Sequence, residues 1–208
     1  MPDLTRDLPA PSADGLPVLP FPARAALEDW LQEHGDTERG LWVRLAKKDS
    51  GVPSVTHREL VEAVLCFGWI DGQIGSDVGP WYRQRITPRR ARSKWSQVNV
   101  ALVGRLQEQG RLRPAGLREV ERAKDDGLWD AAYAPPSTIE VPDDLRAALD
   151  AVPAAAAAFA GLDATNRYAV LHRVTTAKRV ATRQRRVEAF VLMLAEGRTP
   201  YPQRSSSA

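Results

Sequence analysis

Cysteine is almost missing from this 208-residue sequence: Cys66 stands alone, so no internal disulfide can form, and the chain suits a reducing compartment. Histidine is scarce as well. His34, His57 and His172 lie far apart, none in an H-x3-H or H-E-x-x-H arrangement, so no metal and no cofactor is expected. No run approaches the ~18 uninterrupted apolar residues of a membrane span, and no membrane crossing is expected. The opening stretch MPDLTRDLPAPSADG is broken by proline and aspartate and lacks the basic-then-apolar order of a signal peptide, which makes the cytoplasm the expected location. No glycine-rich phosphate loop appears either, because GQIGSDVG has neither the lysine nor the strand–loop–helix setting.

What is present is ordinary in bulk and uneven in detail. Hydrophobic residues make up 43% and charged residues 26%, enough to bury a core, so wholesale disorder is excluded. The net charge is +3. Segment 83–94, RQRITPRRARSK, holds six basic residues and no acid, and segment 178–186, KRVATRQRR, holds five more without an acid. Removing those eleven from +3 leaves the remainder of the chain at −8. An acidic body with two concentrated basic elements attracts an anion locally, although a single charge run is more often a solvated face.

Four parts follow from the patterning. Residues 1–22 are proline-rich and expected to be a mobile lead-in, and 198–208 a flexible tail. Residues 23–134 read as an α+β core, and 135–197, after Pro135-Pro136, as a helical C-terminal part. Leu41, Val43 and Leu45 alternate with Trp42, Arg44 and Ala46, the period of a half-buried strand. Thr56-x-x-Glu59 is a capping box ahead of the apolar stripe Leu60, Val61, Val64, Leu65. WIDGQIGSDVGPWYRQRI reads as two strands around a turn, with Ile70 and Ile74 sharing a face with Tyr82 and Ile86, and Trp69, Asp71 and Gln73 on the other with Trp81, Arg83 and Arg85. In the last helix Val187, Phe190, Val191 and Leu194 are spaced i, i+3, i+4, i+7. The fold class is therefore α+β: a small antiparallel sheet from 41–47, 69–74 and 81–86, covered by helices, with a helical C-terminal part.

The chemistry concentrates at 66–99. Arg83, Arg85, Arg89, Arg90, Arg92 and Lys94 lead toward a helix start near Ser93 and Ser96, and guanidinium forks with hydroxyls suit an oxyanion. Trp69, Trp81 and Trp95 bracket the segment; Trp69 and Trp95 suit a pocket wall and a core equally. Asp71, facing Arg83 and Arg85 in that register, reads as an ion-pair partner or as an acid/base group. Two neighbouring arginines drive a carboxyl pKa down, which favours the first reading. Cys66 sits in AVLCFGW near a helix C-terminus, the wrong end for a reactive thiolate, so packing accounts for it. In the C-terminal part, Arg183 and its neighbours read as a second anion clamp or as the solvated first turn of the last helix; basic residues at a helix start oppose its dipole, which favours a ligand or an acidic tertiary partner.

The stretches LWVRLAKKDSGVPSVTHRELVEAVLCFGWIDGQ, ITPRRARSKWSQVN, GLREVERAKDDGLWDAAY and AKRVATRQRRVEAFVLMLAEG resemble the YdeI/OmpD-associated family of bacterial proteins, and run from about Trp30 to Gly197. The resemblance implies a role in bacteriocin or antimicrobial-peptide tolerance. It brings no reaction, ligand or catalytic residue with it.

Three functions from different classes remain open. The first is a binding protein for a phosphate- or carboxylate-bearing small molecule, held by Trp69, Asp71, Arg83, Arg85, Arg89, Arg90, Ser93, Trp95, Ser96 and Arg183. The second is a nucleic-acid-binding protein, opposed by the remaining charge of −8 unless both basic elements lie on one face. The third is an enzyme using Asp71 with the arginines, for which no nucleophile or metal set is visible and no catalytic residue is assigned. A shared ligand would bring segments 83–94 and 178–186 to one cleft with at least one of Trp69, Trp81 or Trp95 in its wall, and this convergence is the expectation; mere solvation would leave each beside acids such as Asp125, Asp126, Asp143 or Asp144.

Overall fold

The alternation at 41–46 is realised as strand β2 (Leu41–Ala46) in the computed structural model, which describes residues 12–203; Leu41, Val43 and Leu45 are fully buried and the residues between them partly exposed. Strands β3 (Trp69–Ser76) and β4 (Trp81–Pro88) form the expected hairpin, and β4 pairs antiparallel with both β2 and β3. The sheet is mixed rather than purely antiparallel. Strand β1 (Val18–Pro20) pairs parallel with β2, Val18 opposite Trp42, giving the order β1-β2-β4-β3. Helix α1 (Arg24–His34) supplies the crossover that a parallel pair requires.

That strand lies inside the stretch expected to be a mobile lead-in. Residues 1–11 fall outside the described residues, 13–15 are exposed, and Leu16, Val18 and Phe21 are buried in the core. Proline does not prevent this, because Pro20 occupies the end of an edge strand, where its missing N–H costs no ladder bond.

Helix α2 (His57–Cys66) starts at its capping box as the sequence requires: the Glu59 N–H donates to Thr56 Oγ1 at 3.2 Å, and the Thr56 N–H donates to Glu59 Oε2 at 2.9 Å. Leu27 and Leu31 of α1 and Leu60, Ala63 and Val64 of α2 join the inward residues of β2 and β4 in the core. Helices α3 (Gln97–Glu108) and α4 (Pro114–Asp125) follow. The start of α4 closes on the end of α2: the Arg113 N–H donates to the Cys66 carbonyl at 3.0 Å, and Gly116 is buried against the same carbonyl.

Contacts divide the chain into two compact units, the first running to Trp95 with Asn99–Ala131, the second comprising Ser96–Val98 and the chain from Ala132. In the second unit, α5 (Asp143–Asp150), α6 (Pro153–Ala160), α7 (Ala164–Thr175) and α8 (Val180–Ala195) enclose a core of their own. The α8 stripe Val187, Phe190, Val191 and Leu194 is buried in it. Residues 204–208 of the expected tail lie outside the described residues. Residues 198–203 are tied down: the Tyr201 N–H donates to Asn166 Oδ1 at 2.8 Å, and Gln203 Nε2 donates to the Gly161 carbonyl at 2.8 Å. Among the described residues no helix is long and apolar enough to cross a membrane.

A Cβ on Gly116 would stand 2.3 Å from the Cys66 carbonyl oxygen, a contact only main-chain movement can relieve. Gly116→Ala is therefore expected to cost about 2–3 kcal/mol in urea unfolding, as overpacking against rigid backbone does. Gly104, in α3 with open space around it, is the control, and Gly104→Ala should gain up to ~1 kcal/mol from helix propensity.

Candidate functional site

Strand pairing sorts the arginines picked out in the sequence. Trp42 is opposite Arg85 and Arg44 opposite Arg83, which places these four on the sheet face away from Leu41, Val43 and Leu45. The expected partner, Asp71, is not there. The register shifts between Asp71 and Ile74, where Gly72 and Gln73 together oppose Arg85 alone. Such a bulge reverses the alternation of faces, so Asp71 lies opposite Ile86 on the inner side, and Ile70 and Ile74 do not share a face. Buried Gln84 secures the bulge by donating from Nε2 to the Gly72 carbonyl at 2.9 Å. The carboxylate of Asp71 stands 3.8 Å from His57 Nε2 at the start of α2.

Two other acids take the arginines. Asp77, with only 1% of its side chain exposed, lies 2.9 Å from Arg44 Nε and 3.0 Å from Arg83 Nε. Asp14 lies 3.1 Å from Arg85 Nε and accepts a hydrogen bond from Trp42 Nε1 at 3.1 Å. Burial alone would raise the Asp77 carboxyl. Hydrogen bonds from Arg83 and the Val78 N–H, with the charges of Arg44 and Arg83, reverse that and hold it down at about 2. Arg83 and Arg85, expected to bind a ligand, are thus engaged by carboxylates of the protein itself.

The loop from Arg89 to Trp95 is different. Arg89 is buried, its N–H donates to the Gly68 carbonyl at 3.0 Å, and its guanidinium carbon lies 3.6 Å from the centroid of the Trp95 ring. Trp95 is itself buried, tilted against Trp129 at 5.0 Å. Ser93 closes the tip, accepting from the Arg90 N–H at 2.9 Å on Oγ while its own N–H donates to the Arg90 carbonyl at 2.8 Å. Arg90, Arg92 and Lys94 project from this fixed loop, exposed, and among the described residues none of them pairs with a carboxylate. The crevice beside them, lined by Arg89, Arg90, Ser93, Trp95, Glu119 and Arg122, leaves no enclosed room for a ligand.

The remaining sequence candidates lie elsewhere. Trp69 is a core residue, edge-on to Trp30 at 6.0 Å, and its Nε1 donates to the Gly35 carbonyl at 3.1 Å. Ser96 belongs to the second unit, where it forms an isolated bridge with Tyr133. Arg183, also in that unit, donates to both carboxylate oxygens of Asp144, at 2.5 Å from Nε and 2.8 Å from Nη2; these bonds hold the Asp144 carboxyl below its ordinary value. Asp144 is among the acids a solvated Arg183 was expected to sit beside.

One feature of the second unit escaped the sequence reading. A groove of about 540 Å³ runs along α7, lined by Tyr168, His172 and Arg173 with Pro136 and Tyr201. Tyr168 and His172, at i, i+4, share one helical face and Arg173 stands i+4 from Ala169 on the adjoining one, a spacing present in the sequence. Nothing local points to Tyr201.

Two outcomes follow for the first unit. Asp77→Asn leaves two largely buried guanidinium groups without their anion and should cost about 3 kcal/mol at neutral pH. The folded carboxyl titrates at about 2 against an ordinary 3.8, so the folded chain binds fewer protons; the difference from wild type should be full above about pH 4 and shrink as pH falls through about 2, as urea unfolding across that range would show. Burial pushes the Cys66 thiol up to about 11, so maleimide labelling at neutral pH should be negligible until the chain is unfolded.

Comparison with known proteins covers the two parts of the chain separately. Residues 19–119 match the model of a domain of unknown function, DUF8412. No curated protein and no solved structure matches the chain. The resemblance noted from about Trp30 onward is narrower than the motifs imply: residues 138–197 match the family described as bacteriocin-protection, YdeI or OmpD-associated.

Proposed function

We propose that the first unit binds a phosphate- or carboxylate-bearing anion at the Arg89–Trp95 loop, in the cytoplasm, as part of a stress or antimicrobial-tolerance response. The observation that carries this reading is the contrast among the arginines. Arg83, Arg85 and Arg183 face carboxylates of the chain, whereas among the described residues Arg90, Arg92 and Lys94 have none, and they stand on a loop fixed by the Arg89–Trp95 stack. Three uncompensated cations held close together repel one another, and an anion relieves that repulsion. The tolerance role rests on the description of the family matched at 138–197.

Absence of enclosed volume beside the loop favours a second reading, in which the anion is the backbone of a nucleic acid lying across the surface. The two readings differ in salt dependence. Three phosphate contacts to a duplex give a slope of log affinity against log salt of about −2.7, while a small anion gives a shallower one.

The test is a fluorescence titration of the full chain with pyrophosphate, nucleotides and a short oligonucleotide at low salt, with Trp95 as the reporter beside Arg89. The triple variant Arg90→Ala/Arg92→Ala/Lys94→Ala, which touches only exposed side chains, is expected to weaken binding at least ~tenfold, since each charge-assisted bond lost is worth about that much. A wild type unresponsive to all three probes, or a triple variant binding like wild type, would remove the proposal.

A further inference from the structure

The groove along α7 is built independently of the Arg89–Trp95 loop, and its chemistry is specific. Two rings form one side, Tyr168 and His172 at 5.4 Å, and Tyr133, outside the lining, packs nearly perpendicular to His172 at 4.9 Å. The floor is small, with Ala164 and Ala169, which is what leaves the space open. Among the described residues no carboxylate lines it, and Arg173 is its only formally charged side chain.

Arg173 is held as a binding group would be. Its Nη2 donates to the Tyr201 hydroxyl at 3.0 Å, and its guanidinium carbon lies 5.6 Å from the Tyr201 ring. Among the described residues it pairs with no carboxylate. Tyr201 is in turn fixed through its N–H to the side chain of Asn166, which is fully buried. A position near the end of α7 would by itself suit a cation interacting with the helix dipole. That explains neither the hydroxyl that orients the guanidinium nor the ring-lined space beside it. A volume of about 540 Å³ is also within the range, roughly 300–1,000 Å³, that holds small ligands.

We propose that this groove binds a planar aromatic carboxylate, its ring against Tyr168 and His172 and its carboxylate on the Arg173 fork. Aromatic walls favour a flat apolar body, and a guanidinium presents paired donors matched to a carboxylate. Tyr201 acts as the rim that keeps the fork in place.

The test is an amide-NMR titration of the full chain with 2-naphthoate, repeated with the neutral analogue 2-naphthylmethanol. Shifts are expected to concentrate at Thr165–Arg173 and Tyr201, with 2-naphthoate binding at least ~tenfold tighter than the alcohol, the loss expected for one charged pair. Arg173→Ala should abolish that preference, and Ala169→Trp, which fills the floor without altering charge, should abolish binding of both. Absence of shifts in the groove, or equal affinity for the acid and the alcohol, would overturn the proposal; Arg173→Ala decides it even if Ala169→Trp fails to fold. The Arg90/Arg92/Lys94 variant should bind 2-naphthoate like wild type, which separates this site from the loop.

Discussion

Two carbonyl oxygens at the end of α2 organise the first unit. That of Cys66 accepts from the Arg113 N–H and so begins α4; that of Gly68 accepts from the Arg89 N–H and so directs the chain out of β4 into the cationic loop. Helix ends leave such acceptors without intrahelical partners, and here segments distant in sequence supply them. Gly68 takes a left-handed conformation with φ of 75°, and a Cβ there would meet the Ala115 carbonyl at 2.8 Å. With Gly116 also bare, the two backbones approach as closely as hydrogen bonding allows. The position of the loop is thus inherited from a helix end rather than from the loop's own composition.

Charge is arranged on the same economy of partners. Asp77 and Asp14 neutralise the arginines of the sheet face, and Glu62 and Glu28 receive Arg111 at 2.7 Å and 3.2 Å. Asp77 and Glu62, with 1% and 12% of their side chains exposed, lie where an unpaired charge would be costly. Exposed pairs elsewhere contribute little to stability. A basic stretch that looks uniform in sequence therefore splits in space, half of it built into the fold and half left facing water.

Where structure is local, the sequence announces it. The α2 capping box, the alternation of β2 and the α8 stripe each depend on residues within one or two turns or on a period of two, and each appears where the pattern places it. Pairings across long stretches of chain were not legible: β1 with β2, Arg85 with Asp14, or Tyr201 with Asn166. The bulge at Gly72–Gln73 was a nearer miss, since a glycine inside a strand pattern is a known sign of one. Assuming unbroken alternation there moved Asp71 to the wrong face and credited it with arginines that belong to Asp77. In the candidate loop, the stacking of Arg89 on Trp95 fits the residue types, while the burial of Trp69 beside Trp30 was one of two equal readings.

The fastening of Tyr201 has a consequence for the order in which the second unit is completed. Asn166 waits, fully buried, for an N–H that lies 35 residues further along the chain. During synthesis the helices α5 to α8 emerge before that N–H exists, and the groove then lacks its Tyr201 rim. Segment 198–203 closes it through a handful of hydrogen bonds and little buried apolar surface. Segments attached in this way sit at the low end of the local unfolding scale. The groove can therefore open by releasing its strap while the helical core behind it stays intact.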